Sequence, residues 1–180
     1  MSIVNPMHSG FVNKCASHVV GSLPRKNHAL RGRRLVVVDV ENVVGGAVLV
    51  PGKASDVRGR IDGAINLKPR DQIVIGTSHV GLLATGVGWP GPRIVVRSGE
   101  DGADLALLEV LLDERVNERF EEVVVVSGDA IFADAVARLG ELGVTVTVVA
   151  RREACARRLR FAAARTVYLR GAADGLGGAA

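Results

Sequence analysis

Short runs of apolar, mostly β-branched residues alternate along the chain with longer segments of mixed polarity. Runs rich in Val and Ile, without regular interruption by polar residues, are typical of parallel strands that are buried on both faces. The pattern predicts strands at 35–40, 72–77, 93–97, 122–127 and 144–150, with a sixth at 166–169.

The segments between these runs have the periodicity of helices. The clearest helix is predicted at 102–120, where Leu105, Leu108, Leu112 and Val116 lie three to four residues apart. Further helices are predicted at 54–67, 79–86, 130–142 and 153–164. Strands that alternate with helices indicate an α/β fold, with a mostly parallel central sheet of five to six strands between two layers of helices. Ligands of such sheets bind beyond the carboxyl ends of the strands.

Both ends of the 180-residue chain lack this pattern. Residues 1–33 have no sustained periodicity and contain Pro6 and Pro24, and residues 171–180 read GAADGLGGAA. We therefore expect a flexible N-terminal arm at 1–33, one folded domain at 34–170 and a flexible Gly/Ala tail at 171–180.

The charge of the chain is unevenly distributed. The formal net charge is +4, but residues 1–34 carry +6, residues 35–150 carry −7 and residues 151–170 carry +6. Basic flanks favour a polyanionic partner, whereas the acidic middle could approach such a partner only with the help of a metal ion. Solvated surface arginines are the alternative explanation of the flanks.

Composition excludes several classes of protein. Hydrophobic residues make up 48% and charged residues 23% of the chain, which is ordinary for a soluble globular domain. No run of about 18 uncharged apolar residues predicts a membrane span. Lys14, His18 and Arg25 interrupt every candidate secretory signal, and Cys15 and Cys155 form neither a disulfide framework nor a zinc motif. A reducing, cytoplasmic location is expected.

Carboxylates follow three of the predicted strands. Asp39 lies at the end of the first strand, Asp101 and Asp104 follow the third, and Asp129 follows the fourth. Side chains that share one edge of a sheet in this way repel one another unless a cation lies between them, and such hard oxygen ligands suit Mg²⁺ or Mn²⁺. Each segment after a strand could also be a helix cap, although this explains Asp39, inside VVVDV, least well.

Other chemistries lack their motifs. The chain has no GxxxxGK[ST] phosphate loop, and the segment DVENVVGG after the first strand lacks the GxGxxG of dinucleotide sites. No Ser-His-Asp arrangement is recognisable. DVENV matches the DxDxT of aspartyl phosphatases only at its first position, because Glu41 replaces the second Asp and the Thr is missing.

Three segments resemble the NYN domain family of the PIN-like nuclease superfamily. They are VVVDVEN, GADLALLEVL and VVVVSGDAIFADAVARLGELGVTVTVVA, within residues 35–170. The resemblance implies a PIN-like, Rossmann-like three-layer sandwich and metal-dependent cleavage of RNA. The family's functional positions fall on Asp39, Asn42, Asp104 and Asp129. Two positions depart from its pattern: Ile131 replaces a second acid after SGD, and EDGAD lacks a Lys.

The sequence thus predicts a Mg²⁺- or Mn²⁺-dependent endoribonuclease. Its predicted catalytic and metal-binding residues are Asp39, Asp104 and Asp129, with Asp101 as a further metal ligand. Asn42, Thr77, Ser127, Arg151 and Arg152 are the predicted contacts to the substrate, which by family analogy is single-stranded RNA. Arg157 and Arg158 could hold the RNA backbone, and Trp89 and Phe132 are the candidates for base stacking.

The alternative is a non-catalytic RNA-binding or protein-interaction module with a degenerate site. Ile131 is the residue that favours it, because the fourth carboxylate of the family is then missing. A homodimer is compatible with either function and is left open by the sequence.

Overall fold

The computed structural model describes residues 32–170, which form a six-stranded parallel sheet. The strands are β1 Arg34–Asp39, β2 Gln72–Thr77, β3 Arg93–Val96, β4 Glu122–Val126, β5 Thr145–Ala150 and β6 Arg165–Tyr168. They lie in the order β3-β2-β1-β4-β5-β6, and each neighbouring pair is parallel. The predicted α/β fold is confirmed, including the sixth strand, and is consistent with a PIN-like, Rossmann-like sandwich.

Seven helices connect the strands of the described domain. They are α1 Val40–Val44, α2 Pro51–Ile65, α3 Leu82–Gly88, α4 Gly102–Asp113, α5 Val116–Arg119, α6 Ala133–Glu141 and α7 Arg157–Ala162. Two 3₁₀ turns, Ala130–Phe132 and Arg152–Ala154, precede α6 and α7. Helices α1, α2 and α3 pack on one face of the sheet, and α4 to α7 pack on the other. Successive β1 residues alternate between the two cores, as Val36 and Val37 do.

The connections leave one position where ligands of parallel sheets bind. From β1 the chain proceeds outward to β2 and β3, then returns to the other side of β1 and proceeds to β4, β5 and β6. Loops that leave β1 and β4 therefore diverge to opposite faces of the sheet. The gap that this reversal opens at the carboxyl edge is the usual ligand site of such folds.

The prediction of one long helix at 102–120 is wrong in two respects. It breaks after Asp113, because Arg115 adopts a left-handed conformation (φ 53°) that turns the chain into α5. The buried face of α4 contains Leu107, Val110 and Leu111, whereas Leu105 and Leu112 of the predicted stripe are exposed. Leucine and valine occur on all sides of this helix, so spacing alone did not identify the buried face.

The prediction that Trp89 and Phe132 stack on bases is also wrong. Trp89 is 2% exposed and Phe132 is fully buried, and they belong to the cores on opposite faces of the sheet. Both rings are therefore unavailable to a nucleic-acid base. Helix α1, which the sequence did not predict, begins directly at the end of β1.

Most of the predicted arm and all of the predicted tail lie outside the described residues. The division into an arm at 1–33, a domain at 34–170 and a tail at 171–180 therefore stays a prediction. Within residues 32–170, no helix combines the length and the apolar composition needed to cross a bilayer.

A buried ion pair holds the opposite, amino edge of the sheet together. The guanidinium of Arg34, at the start of β1, donates to both carboxylate oxygens of Asp71 and to the carbonyl oxygen of Asn66. Their side chains are 5% and 2% exposed, and Asp71 also accepts from the backbone N–H of Lys68. The carboxylate of Asp71 raises the pKa of Arg34. The pair thereby fixes the turn between α2 and β2 against β1.

We expect Asp71→Ala to lower the free energy of unfolding by about 3–5 kcal/mol, because it leaves the Arg34 guanidinium buried without its counter-charge. Urea denaturation of the variant beside Asp113→Ala, an exposed carboxylate at the end of α4, measures the effect. Equal midpoints for the two variants would contradict the assigned role of the pair.

Candidate metal centre

A cavity of about 240 Å³ opens at the carboxyl edge of the sheet, beside the point where the strand order reverses. The loops after β1, β2 and β3 form its walls. The lining residues are Asp39, Glu41, Asn42, Ser78, Gly99, Asp101, Gly102, Ala103 and Asp104. Three of the four predicted acidic residues therefore face one cavity, and Asp129 lies outside its lining.

Asp39 is the most constrained side chain of the site. It is 4% exposed, and its position at the end of β1 makes it the N-cap of α1. One carboxylate oxygen accepts from the backbone N–H of Asn42 (3.0 Å), and the other accepts from the hydroxyl of Ser127 (2.9 Å). Burial raises the pKa of Asp39 above its usual value, although these hydrogen bonds act in the opposite direction.

Asp104, in the first turn of α4, lines the same cavity as Asp39, and each carboxyl group affects the pKa of the other. Burial first, then the negative charges of Asp39, Asp129 and Asp101, raise the pKa of Asp104 to about 8. Its oxygen Oδ1 is buried and has no hydrogen-bond donor. A buried carboxylate oxygen without a donor, beside a second carboxylate, is an unfavourable arrangement that a cation would relieve.

The residues at this edge fit a divalent cation that two carboxylates hold. Mg²⁺ is commonly bound by one or two carboxylates and retains several water ligands, so Asp39 and Asp104 suffice as direct protein ligands. Within residues 32–170, no three His, Cys, Asp or Glu side chains are arranged so that they could already hold a metal ion together. The structure thus places three of the predicted ligands, Asp39, Asp101 and Asp104, on one cavity and leaves Asp129 outside its lining.

Asp129 and Asp101 lie around this pair. Asp129 is exposed and caps the first 3₁₀ turn, since its side chain accepts from the backbone N–H of Ile131 (2.9 Å). Asp101 lines the cavity and precedes α4 in a left-handed conformation (φ 54°). The charges of both residues reach Asp104, because each raises its pKa.

Glu41 is a cavity residue to which the sequence analysis gave no role. Its oxygen Oε1 accepts three hydrogen bonds, from the hydroxyl of Thr77 (3.2 Å) and from the backbone N–H (3.0 Å) and hydroxyl (2.6 Å) of Ser78. Its position two residues after Asp39, still at the strand end, is the signal that could have identified it. These bonds hold a further negative charge rigidly beside the cavity.

The predicted substrate contacts Thr77, Ser127 and Asn42 hydrogen-bond within the protein. Thr77 and Ser127 are buried, and their hydroxyls donate to Glu41 and Asp39 respectively. The side-chain oxygen of Asn42 accepts from the backbone N–H of Gly128 (3.0 Å), which ties the β1 loop to the β4 loop. In this arrangement all three position the acidic groups, and direct contact with a substrate stays a prediction.

The predicted arginine contacts follow β5, where Arg151 lies beside the β1 loop and Arg152 lies against β6. The guanidinium of Arg151 lies against Gly45 at the end of α1 and 3.6 Å from Glu153. Arg152 stacks over the ring of Tyr168, 4.4 Å from its centroid. Neither lines the cavity, so their predicted contact with the substrate is also untested.

Ile131 and Asp134 both follow SGD, near the position where the family has a second acid. Ile131 is half-buried and packs against the core that contains α6 and α7. Asp134 is exposed and pairs with Arg158 (2.6 Å), away from the cavity. Within the described residues, neither side chain therefore supplies an additional acidic group to the cavity.

The fold and this edge define a class: an α/β protein with a parallel, Rossmann-like sheet and an acidic pair at its topological switch point. The family model of the NYN domain matches residues 83–170, from α3 to the end of the described domain. The match is consistent with an NYN domain of the PIN-like superfamily and confirms the resemblance seen in the sequence. NYN domains are generally nucleases that typically bind RNA and usually use divalent metals. The match includes Asp104 and Asp129 and begins after Asp39.

One solved structure is similar in outline. It is a protein of unknown function from Vibrio parahaemolyticus, 17% identical, with a TM-score of 0.49. The similarity covers 77% of this chain and 93% of that chain. No curated protein matches the chain.

We expect Asp104→Asn to stabilise the metal-free protein at pH above about 8. The raised pKa means that the folded state binds more protons than the unfolded state between the usual carboxyl pKa and about 8. The stability of the wild type in EDTA should therefore fall as pH rises through this window. The stability of the variant should fall less. Each 1 kcal/mol gained raises Tm by about 2–4 °C.

Thermal unfolding in EDTA across this pH range measures the effect, and Mn²⁺ addition supplies the second readout. Mn²⁺ should raise the Tm of the wild type and not that of Asp104→Asn. The matched control is Asp134→Asn, which removes an exposed carboxylate outside the cavity. If Asp104→Asn melts below the wild type at high pH in EDTA, the crowding described here does not exist.

Proposed function

We propose that the protein is a metal-dependent endoribonuclease that hydrolyses phosphodiester bonds of RNA at the cavity between β1 and α4. The observation that carries this proposal is that Asp39 and Asp104 line one cavity, where an oxygen of Asp104 is buried without a donor, in a chain whose residues 83–170 match the NYN domain model. Mg²⁺ and Mn²⁺ suit such oxygen ligands. RNA is the substrate class because NYN domains typically bind it.

In this proposal Asp39 and Asp104 would hold the cation, and Asp101 and Asp129 would attract it through their negative charges. A divalent cation in such a site lowers the pKa of a bound water and polarises the scissile phosphate. Ser127 and the backbone N–H of Asn42 fix both oxygens of Asp39, so that its carboxylate cannot rotate when a ligand enters. Asn42 keeps the Asp129 loop in register with β1 through Gly128.

The other predicted residues belong to the same proposal. Arg151 and Arg152, which follow β5, contact the phosphates of the RNA. Thr77 acts through Glu41, and Ser127 acts through Asp39. The basic segment 1–33 adds polyanion contacts, and the protein functions in the cytoplasm on single-stranded RNA.

We expect Asp104→Asn and Asp129→Asn to abolish Mn²⁺-dependent cleavage of RNA without unfolding the domain. Each change keeps the size of the side chain and removes one negative charge from a crowded edge. Cleavage of a labelled single-stranded RNA against Mn²⁺ concentration is the measurement, and Asp134→Asn is the control with wild-type rates. Undiminished cleavage by Asp104→Asn would refute the assigned site.

A non-catalytic RNA-binding module is the second candidate function. It is favoured by the packing of Ile131 against the core where relatives carry an acid, together with the lack of three clustered metal ligands in the described domain. In that case the protein retains the fold of a nuclease, but its acidic edge binds metal too weakly for hydrolysis. Wild-type protein that binds RNA, cleaves none and shows no Tm response to Mn²⁺ would establish it.

We expect Ile131→Asp to destabilise the protein instead of restoring a ligand. The side chain packs against the core beside α6 and α7, so the carboxyl group would lose solvent without gaining a donor, at a cost of about 1–3 kcal/mol. Urea denaturation and Mn²⁺ titration of Ile131→Asp, with Ile131→Val as the control, test this. A tighter Mn²⁺ response in a fully stable variant would show that residue 131 can turn toward the cavity.

A further inference from the structure

Helix α7 exposes a large aromatic ring for which the fold itself has no use. Phe161 is 72% exposed, whereas the other aromatic side chains of residues 32–170 are buried or half-buried. On the opposite side of this short helix, Leu159 is fully buried in the core and anchors it. The ring is thus held outward by a fixed helix.

The surroundings of the ring are cationic. Arg157 and Arg158 lie four and three residues before Phe161, so they occupy the same face of α7. The guanidinium of Arg160 lies over the ring, 5.2 Å from its centroid. Arg158 pairs with Asp134, but within residues 32–170 neither Arg157 nor Arg160 has a carboxylate partner. Because 72% of Phe161 remains exposed, the contact with Arg160 leaves most of the ring accessible.

This helix is fixed next to the SGD loop of the candidate site. The backbone N–H of Ala156, which precedes α7, donates to the carbonyl oxygen of Gly128 (2.9 Å). A Cβ at Gly128 would lie 2.1 Å from the carbonyl oxygen of Ala154, so the two segments are in direct backbone contact. Asp129 follows Gly128, and the aromatic and basic surface therefore begins one short segment away from the acidic edge.

We propose that Phe161, Arg157 and Arg160 form a stacking subsite for one base of a single-stranded RNA, outside the cavity. The inference rests on the proposed function, because it places the RNA that the acidic edge would cleave. The ring supplies a stacking surface, and the two unpaired guanidinium groups bind the adjacent phosphates. An apolar protein surface would fit the ring but would have to remove water from these arginines without pairing them, which is costly.

Stacking and phosphate binding leave different signatures in a binding experiment. Loss of a stacked base weakens binding by about 5-fold to 150-fold and leaves its salt dependence unchanged. Loss of one phosphate contact lowers the slope of log K against log salt by about 0.7 for a single strand, whatever the base.

The experiment is fluorescence anisotropy in EDTA, so that binding is measured without cleavage. The probes are a labelled oligoadenylate and an abasic tetrahydrofuran phosphate oligomer of equal length. Phe161→Leu keeps an apolar side chain but removes the ring. We expect it to weaken binding to oligoadenylate about 5-fold to 150-fold and to leave binding to the abasic oligomer unchanged. Phe161→Trp should restore the affinity, and Leu83→Ala, which changes an exposed apolar residue of α3, should have no effect.

The arginine arm of the experiment uses the same two probes. Arg157→Ala should lower the salt slope by about 0.7 with both of them. Arg58→Ala is the matched control, because Arg58 is an exposed arginine of α2 on the other face of the sheet. Equal slopes for Arg157→Ala and the wild type would remove Arg157 from the subsite.

The outcomes separate this inference from the proposed function. Wild-type affinity of Phe161→Leu for oligoadenylate overturns the subsite, and so does an equal loss with the abasic oligomer, which would show a structural role. Failure of the wild type to bind oligoadenylate at low salt overturns it as well. A loss confined to oligoadenylate supports the subsite even if no RNA is cleaved with Mn²⁺, in which case the nuclease proposal alone fails.

Discussion

The repulsion between Asp39 and Asp104 is the constraint around which the functional edge of this domain is built. Two carboxyl groups that share a partly dry space resist ionising together near neutral pH without a cation, and the pKa of Asp104 is raised to about 8 accordingly. A fold selected for stability alone would avoid this pairing. Its presence at the position where parallel sheets bind ligands is the strongest argument that the edge serves a ligand.

The neighbouring hydrogen bonds maintain this unfavourable arrangement. Both oxygens of Asp39 are fixed, one by the hydroxyl of Ser127 from β4 and one by the first turn of α1. Asn42 adds a second link between the same two loops through Gly128. Since β1 and β4 lie side by side, these links join the two strands at which the chain changes direction. At the opposite edge of the sheet a buried carboxylate has a counter-charge, because Arg34 neutralises Asp71.

Sequence reasoning located the strands well, because strands depend on short-range patterns. Runs of β-branched residues match β1, β2, β4 and β5 within a residue or two, since a strand buried on both faces is mostly apolar. That pattern also placed Asp39 and Asp104 at the same edge. The contact between them depends on how α4 packs, which spacing does not encode.

The errors arose where residues have two plausible environments. Leucines cover α4 on several sides, so the stripe through Leu105 and Leu112 was assigned to the core although the packed stripe contains Leu107 and Leu111. Trp89, on a Gly/Pro loop, suggested an exposed ring, yet the loop folds this ring into the core. Glu41 was adjacent to a recognised residue, but only the approach of Ser78 from β2 gives it a defined place. In each case a tertiary contact decided between alternatives that were locally equivalent.

Gly128 connects the acidic edge to the basic helix. The SGD sequence suggests a cap, and Asp129 does cap the 3₁₀ turn, but the glycine is required for a different reason. A Cβ at Gly128 would clash with the carbonyl oxygen of Ala154. The backbone N–H of Ala156 donates to the carbonyl oxygen of Gly128. Any side chain at this position would displace the segment that leads into α7. Metal-dependent cleavage of a polyanion needs both signs of charge close together. Cationic side chains hold the backbone of the polyanion, and an acidic site binds the metal. Close packing at one glycine places the two beside each other.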